Sequence, residues 1–198
     1  MQITADQVRQ LREMTGAGMM ECKKALAEAA GDVEKAVENL RKAGIAKAEK
    51  RGERAASEGL VEAYIHPGNR IGVLIEVNCE TDFVARTPEF GALVRELAMQ
   101  VAAAGADFVT RSEVPAARVE KEKEILLAQM EGQGKPANML EKIVQGKIDK
   151  FFSEVCLMEQ PYIKDDKQSV GDLVKAAGSK TGENIVVRRF SRFRLGQD

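Results

Sequence analysis

The sequence is poor in the residues from which metal sites, disulfide frameworks and histidine-based catalytic sites are built. Its 198 residues include one histidine and three cysteines. A single histidine cannot supply a zinc site of several imidazoles, and His66 precedes a Pro-Gly-Asn turn signal, which favours an exposed strand end over a catalytic role. The cysteines Cys22, Cys79 and Cys156 are odd in number and widely spaced, which predicts reduced, partly buried thiols.

Long apolar runs and an excess of one charge are also missing. No apolar run approaches the roughly 18 residues of a membrane helix, and Met1–Thr4 leads into a polar helix instead of a signal-peptide core. We therefore expect a cytoplasmic protein without a membrane partner. Its 30 lysines and arginines oppose 31 acids, so the net charge of -1 predicts no general attraction to nucleic acid, and no direct nucleic-acid partner is expected.

Phosphate-binding loops and nucleophile motifs are absent as well. The stretch "TGAGMMECKK" lacks the Gly-Lys-Ser/Thr ending of such a loop, and "AAGSKTG" has Ser179 where the glycine before the lysine is required. A Cβ at that place obstructs the close approach of backbone N–H groups to phosphate. No serine lies in a nucleophile-elbow motif and no metal-ligand cluster is visible. The sequence predicts neither a cofactor nor an enzyme.

The first part of the chain has the pattern of a small helical domain. Thr4 can cap a helix from Ala5, Asp32 can cap a third helix, and the apolar stripe of that helix ends at Gly44. The core faces of the second and third helices are formed by Cys22, Leu26, Ala29, Val33, Val37 and Leu40. Residues 1–44 are thus predicted to form a three-helix bundle. Residues 45–58 have helix formers and alternating charge but almost no apolar stripe, which predicts a solvated helical linker.

From residue 59 the hydrophobic period changes to that of a strand. Val61, Ala63 and Ile65 alternate with polar neighbours, "HPGNR" makes a turn, and a second alternating run follows at Ile71, Val73, Ile75 and Val77. This pattern predicts a β-hairpin. Thr87 and Pro88 then begin a helix, whose predicted core face is Phe90, Leu93, Val94, Leu97 and Val101.

The rest of the chain reads as helices and one returning strand. A charged helix is predicted from about Ala116 to Met130, "EGQGKP" breaks it, and a helical stretch from Pro136 is divided in two by Gly146. A helix over 169–177 and a strand in "ENIVVRRFSRF" close the chain. Residues 59–198 are therefore predicted to form an α+β core domain with a small antiparallel sheet and several helices.

The last strand also carries a pattern typical of an RNA-binding surface, since Arg188, Arg189 and Arg192 alternate with aromatic residues. Against this, Ile185 and Val187 begin a core strand, while Phe190 and Phe193 fall on opposite faces unless a bulge resets the phase. With a nearly neutral chain, a core strand with arginines at its edge is the favoured interpretation.

The chain contains two long motifs, "LREMTGAGMMECKKAL" and "VNCETDFVAR", and three shorter ones, "IGVLIEV", "EQPYIKDDK" and "GENIVVRRF". In sequence and in order along the chain, these motifs resemble those of the bacterial elongation factor Ts family. The resemblance implies a nucleotide exchange factor that promotes GDP release from elongation factor Tu, with a ubiquitin-associated-like domain in residues 1–44. Longer relatives have two core halves, whereas this chain has one hairpin of the "RIGVLIE" kind, so the resemblance implies a compact form that pairs as a homodimer.

The resemblance also implies the roles of particular residues. Thr81, Asp82, Phe83 and Val84 match a Thr-Asp-Phe-Val motif that inserts near the magnesium side of the partner's nucleotide pocket, with Phe83 as a wedge. A partner-binding anchor is implied at the loop and helix start in the first domain, formed by Leu11, Met19 and Met20. Three alternatives stay open: Phe83 packs into its own core while Asp82 caps the next turn, one of the three anchor residues is simply part of the core, or the protein is a binding module that touches no GTPase.

Overall fold

The computed structural model describes residues 3–130 and 137–197. The helices, in chain order, are α1 Ala5–Thr15, α2 Met19–Glu28, α3 Val33–Gly52, α4 Asp82–Ala85, α5 Pro88–Ala104, α6 Ala116–Met130, α7 Ala137–Val155 and α8 Val170–Thr181. The strands are β1 Glu58–Ile65, β2 Ile71–Cys79, β3 Pro161–Tyr162, β4 Asp165–Ser169 and β5 Val186–Arg194. This architecture confirms the predicted α+β class, with three N-terminal helices before antiparallel sheets and further helices.

Helices α1, α2 and α3 form a small bundle with its own core. Thr4 caps α1 in a capping box with Gln7, and Gly16 ends the helix in the left-handed conformation at φ 66°. The buried core of the bundle consists of Val8, Leu11, Cys22, Ala25, Leu26, Ala29 and Ala36. The predicted caps at Thr4 and Asp32 and the predicted core face of α2 are therefore confirmed, whereas Val33, Val37 and Leu40 of α3 are only partly buried against this core.

Helix α3 differs from the prediction, because it continues through Gly44 and includes most of the segment expected to be a linker. A glycine inside a helix costs only about 1 kcal/mol relative to alanine, so it does not end a helix that is capped at Asp32. The far end of α3 contacts the core domain. The Arg51 guanidinium donates to the Ser179 hydroxyl at 2.8 Å, and the Asn184 amide donates to the carbonyl of Arg54 at 2.8 Å.

The main sheet has the strand order β1-β2-β5, with both pairs antiparallel. Val77 of β2 lies opposite Val187 of β5, while Glu76 lies opposite Arg189, so Arg188 is an extra residue in a β-bulge. The bulge lies before Phe190 and Phe193 and does not change their relation. Phe190 consequently packs against the core, while Phe193 is exposed on the other face.

Helix α5 covers one face of this sheet. The predicted core face of α5 is buried in full, at Phe90, Leu93, Val94, Leu97 and Val101. It packs against the inward side chains of β2, which are Val73, Ile75, Val77 and Cys79. Thr87 caps the helix by accepting from the backbone N–H of Phe90, as its sequence predicts.

The later helices agree with the sequence in position but not in every boundary. Helix α6 has the predicted bounds, whereas α7 runs without a break through Gly146, so the predicted division is wrong. The predicted "EGQGKP" break and the start at Pro136 lie outside the described residues. Helix α8 is capped by Ser169 and extends to Thr181, one turn beyond the prediction. A short hairpin of β3 and β4 precedes α8, with Asp165 and Asp166 at the start of β4.

The second face of the main sheet carries apolar side chains that remain exposed. We call it the outer face, and it comprises Val61, Ile65, Leu74, Phe193 and Leu195. In β1 the core side is instead supplied by Leu60 and Tyr64, which pack against the cluster below the sheet. The alternation of β1 thus predicted a strand but did not show which of its faces is buried.

Candidate partner-binding site

The chain makes a single helical turn directly after β2. Thr81 adopts an extended backbone conformation and its hydroxyl oxygen accepts from the N–H of Val84, which caps α4. The turn ends within a few residues, because the Thr87 hydroxyl donates to the carbonyl of Val84 at 2.8 Å and begins the cap of α5. Two capped helix starts in close succession therefore define the backbone of the Thr-Asp-Phe-Val motif.

Phe83 points away from the protein. It is 80% exposed, whereas Val84 packs against the core cluster and Ala85 is buried within it. Exposed phenylalanine is unusual, since this side chain is normally among the most buried. The alternative that Phe83 packs into its own core does not agree with this position.

Asp82 lies beside the exposed ring, in the first turn of α4. Its carboxylate pairs with the Arg86 guanidinium at 2.9 Å, and the aspartate side chain remains 43% exposed. The cap of the turn is Thr81, not Asp82 as the second part of that alternative proposed. An exposed ion pair of this kind contributes about 0–1 kcal/mol, so Asp82 can exchange Arg86 for another partner at little cost.

The Cys79 side chain, at the end of β2, stabilises the backbone of the first motif residue. Its thiol donates to the carbonyl of Thr81 at 3.2 Å. Burial raises the pKa of the Cys79 thiol, and the nearby Glu183 carboxylate raises it further. The thiol therefore stays protonated near neutral pH and acts as a hydrogen-bond donor. Like Cys79, the other two cysteines are free and buried, more completely than the partial burial that the sequence predicted.

The residues predicted as an anchor occupy two different environments. Met19 and Met20 begin α2 and are 56% and 77% exposed, whereas Leu11 is fully buried in the bundle core. Leu11 thus has no free surface for a direct contact, and it supports α1 from inside. Met14, at the end of α1, is 61% exposed and was not singled out from the sequence. The sequence offered an indication of Met14, because this apolar residue directly precedes the glycine-rich interruption before Met19.

His66 and the arginines of β5, which the sequence also offered as candidates for a functional role, make contacts within the chain. His66 makes a hydrogen bond through Nδ1 with the Tyr64 hydroxyl at 3.1 Å, at the exposed end of β1. Arg189 pairs with Glu76 at 2.7 Å, and Arg192 donates to the carbonyl of Ala102. These contacts support the core-strand interpretation of β5 over an RNA-binding surface.

Within residues 3–130 and 137–197, no group of three or more His, Cys, Asp or Glu side chains is arranged so that it could hold a metal ion. Over the same ranges, each helix is too short or too polar to cross a lipid bilayer.

The residues that support the Thr-Asp-Phe-Val motif from a distant part of the chain were not predicted from the sequence. The Glu183 carboxylate accepts from the Thr81 hydroxyl at 2.6 Å, and the Glu80 carboxylate accepts from the backbone N–H of Asn184 at 2.6 Å. Glu183 and Asn184 belong to the "GENIVVRRF" motif, for which the sequence predicted a strand and a family resemblance but no contact with Thr81. No local pattern could have paired residues so distant in the chain.

An exposed ring on a turn attached to the core, together with exposed methionines on the bundle, is typical of a protein that acts by binding another protein. Comparison with known proteins agrees with this class. The model of the family described as elongation factor TS matches residues 2–197. The chain is 58% identical to elongation factor Ts of Carboxydothermus hydrogenoformans over 195 residues, which cover 98% of this chain and 90% of that protein.

Two further relatives show the same extent of similarity. Elongation factor Ts of Moorella thermoacetica is 59% identical over 98% of this chain and 96% of its own length. The protein of the same name from Caldanaerobacter subterraneus is 56% identical over 98% of both chains. The chain therefore belongs to the elongation factor Ts family. It is a nucleotide exchange factor for elongation factor Tu in translation elongation, and not a catalytic enzyme.

Proposed function

We propose that this chain releases GDP from elongation factor Tu by inserting Phe83 into the partner near the magnesium and phosphate side of the nucleotide pocket. The observation that carries the proposal is the 80% exposure of Phe83 on a turn whose next residues are held in the core. An aromatic ring buries a large area at a low cost in side-chain entropy, so it can stabilise a distorted conformation of the partner. Displacing the elements that hold magnesium and phosphate weakens GDP binding.

Asp82 acts beside the ring as a polar contact to the partner. Its ion pair with Arg86 is exposed, so it is easily exchanged for a donor on the partner surface. Because the carboxylate is attached to the same short helix as Phe83, it orients the ring relative to the partner.

Met19 and Met20 are proposed to dock the three-helix bundle on the partner, while Leu11 stabilises the bundle from its core. Methionine side chains are flexible and polarisable and suit an adaptable apolar contact. The anchor and the wedge have separate effects. The anchor increases affinity for every nucleotide state, whereas only contacts that are stronger with the nucleotide-free partner lower its affinity for GDP.

Thermodynamic linkage defines the exchange reaction. If this chain weakens GDP binding by some factor, GDP weakens the binding of this chain by the same factor. The protein therefore accelerates exchange in both directions without selecting a nucleotide. We expect it to do so in the cytoplasm, where translation elongation takes place.

The outer face of the main sheet is proposed to pair with the same face of a second copy. Supporting this, Val61, Leu74 and Phe193 are 64%, 49% and 72% exposed on one side of a sheet whose other side is buried. An apolar sheet face of this kind is typical of a protein interface. A symmetric dimer would cover it and provide the second core half that longer relatives carry within one chain.

The test of the proposed function is the release rate of a fluorescent GDP analogue from purified elongation factor Tu, chased with excess unlabelled nucleotide. Strong acceleration at a substoichiometric concentration of this protein is the expected result. No acceleration of an active partner would contradict the proposal and favour a binding module that does not act on nucleotide. If the chain instead bound RNA with an affinity that falls steeply with salt concentration, and mutation of Arg188 abolished that dependence, an RNA-binding function would be indicated.

A further inference from the structure

Two loops that are distant in sequence hold each other beside the wedge. The Glu183 carboxylate, in the loop between α8 and β5, accepts three hydrogen bonds from the segment before α4. The donors are the backbone N–H groups of Glu80 and Thr81, at 3.0 and 3.1 Å, and the Thr81 hydroxyl, at 2.6 Å. Glu183 is thus bonded to the residue that caps the wedge helix.

The contact is reciprocal. The Glu80 carboxylate accepts from the backbone N–H of Asn184 at 2.6 Å, and the Arg54 guanidinium approaches the same oxygen at 3.4 Å. The Asn184 side-chain amide donates in turn to the carbonyl of Arg54 at 2.8 Å. We name Glu80, Thr81, Glu183 and Asn184 the carboxylate clamp. It joins the start of the wedge helix to the segment that follows α3.

We propose that Glu183 is a positioning residue for nucleotide exchange, which it serves by fixing the direction of the wedge through Thr81. The inference rests on the proposed function of Phe83. Glu183 itself is not expected to touch the partner's nucleotide; it acts through the cap.

The physical reason is the shortness of α4. A helix of four residues cannot maintain itself, because forming a first turn fixes several backbone angles for one hydrogen bond. Its direction therefore depends on attachments at its two ends. At the carboxyl end, Ala85 is buried and Thr87 bonds to the carbonyl of Val84. At the amino end, Glu183 orients the Thr81 hydroxyl so that its oxygen accepts from the Val84 N–H.

An ordered turn also reduces the conformational entropy that is lost when the ring enters the partner. A ring held in the bound direction does not lose conformational freedom when it enters the partner, whereas a loose ring must be ordered at that moment. Loosening the clamp should therefore reduce the maximal rate of GDP release. Docking through Met19 and Met20 takes place elsewhere on the chain, so the concentration needed for half-maximal release should change little.

The experiment measures release of a fluorescent GDP analogue at increasing concentrations of the full chain, which gives a maximal rate and a half-saturating concentration. Glu183→Gln keeps the size of the side chain but removes the charge that strengthens all three bonds. Thr81→Val removes the hydroxyl, and Thr81→Ser restores it. Glu124→Gln makes the same change in charge at an exposed position of α6. Phe83→Ala reports on the wedge itself.

The maximal rate should fall about fivefold or more in Glu183→Gln and Thr81→Val. It should return to near the original value in Thr81→Ser and be unchanged in Glu124→Gln. If Phe83→Ala slows release while Glu183→Gln and Thr81→Val do not, the positioning role is wrong and the proposed function stands. If only the half-saturating concentration changes, the positioning role is wrong as well. If Phe83→Ala has no effect, the proposed function itself fails.

Discussion

Replacing Phe83 by alanine should separate exchange activity from stability. The ring is 80% exposed, so only about one fifth of its surface is covered within the chain. Full burial of a phenylalanine contributes about 1.5–3 kcal/mol, so the covered part accounts for about 0.3–0.6 kcal/mol. Alanine also has a higher helix propensity, which offsets a few tenths of that loss. The thermal midpoint of unfolding should move by less than about 2 °C.

The effect on exchange should be much larger. A buried aromatic residue at the centre of an interface contributes about 2 kcal/mol or more. If that contact forms only when the partner's nucleotide pocket is distorted, its loss slows GDP release by about 30-fold. The change should appear in the maximal rate, because docking by the three-helix bundle is unaffected.

Two control variants make the comparison decisive. Phe90→Ala removes a ring that is 2% exposed in the same part of the chain, and should destabilise the protein by about 3–5 kcal/mol. Ile163→Ala removes an exposed side chain, 46% accessible, from the turn between β3 and β4 and should change neither property. Thermal unfolding and GDP release are measured on all three. A Phe83→Ala protein that is as unstable as Phe90→Ala would refute the wedge and show that the ring has a core role.

Three other predictions follow from the anchor, the outer face and a buried phenol. The double variant Met19→Ala and Met20→Ala should raise the half-saturating concentration for GDP release about tenfold while leaving the maximal rate intact, and a lowered maximal rate alone would contradict separate roles. Leu74→Lys should convert a dimer to a 21.7 kDa monomer in sedimentation, whereas Leu127→Lys, at an equally exposed position, should not. Burial and a carboxylate partner raise the pKa of Tyr162 from 10.0 to about 12, so the stability it contributes is present below pH 10 and is lost as the pH rises toward 12. The difference in thermal midpoint between the original protein and Tyr162→Phe should therefore shrink over that range. A constant difference would contradict the raised pKa of Tyr162.

Local patterns predicted the elements that depend on local physics. The caps at Thr4, Asp32 and Thr87 were visible in the sequence because a side-chain oxygen bonds to an N–H group three residues later. The stripe of α5 and the alternation of β2 were visible because each element buries one face. The motif that carries Phe83 was found by its resemblance to a family. Glycines were misread at Gly44 and Gly146, since the cost of glycine in a helix is small compared with the packing of the whole helix.

The environment of each side chain depends on tertiary contacts and could not be predicted from local patterns. The sequence showed that β1 alternates, that Phe83 follows a strand and that Leu11 lies in the helix capped by Thr4. Whether each faces the core or the solvent depends on which elements cover it, and the structure buries Leu11 while leaving Phe83 exposed. The contact of Glu183 with Thr81 joins residues 102 positions apart. Such a contact leaves no periodic trace in the chain, because it depends on β5 pairing with β2 and bringing the two loops together.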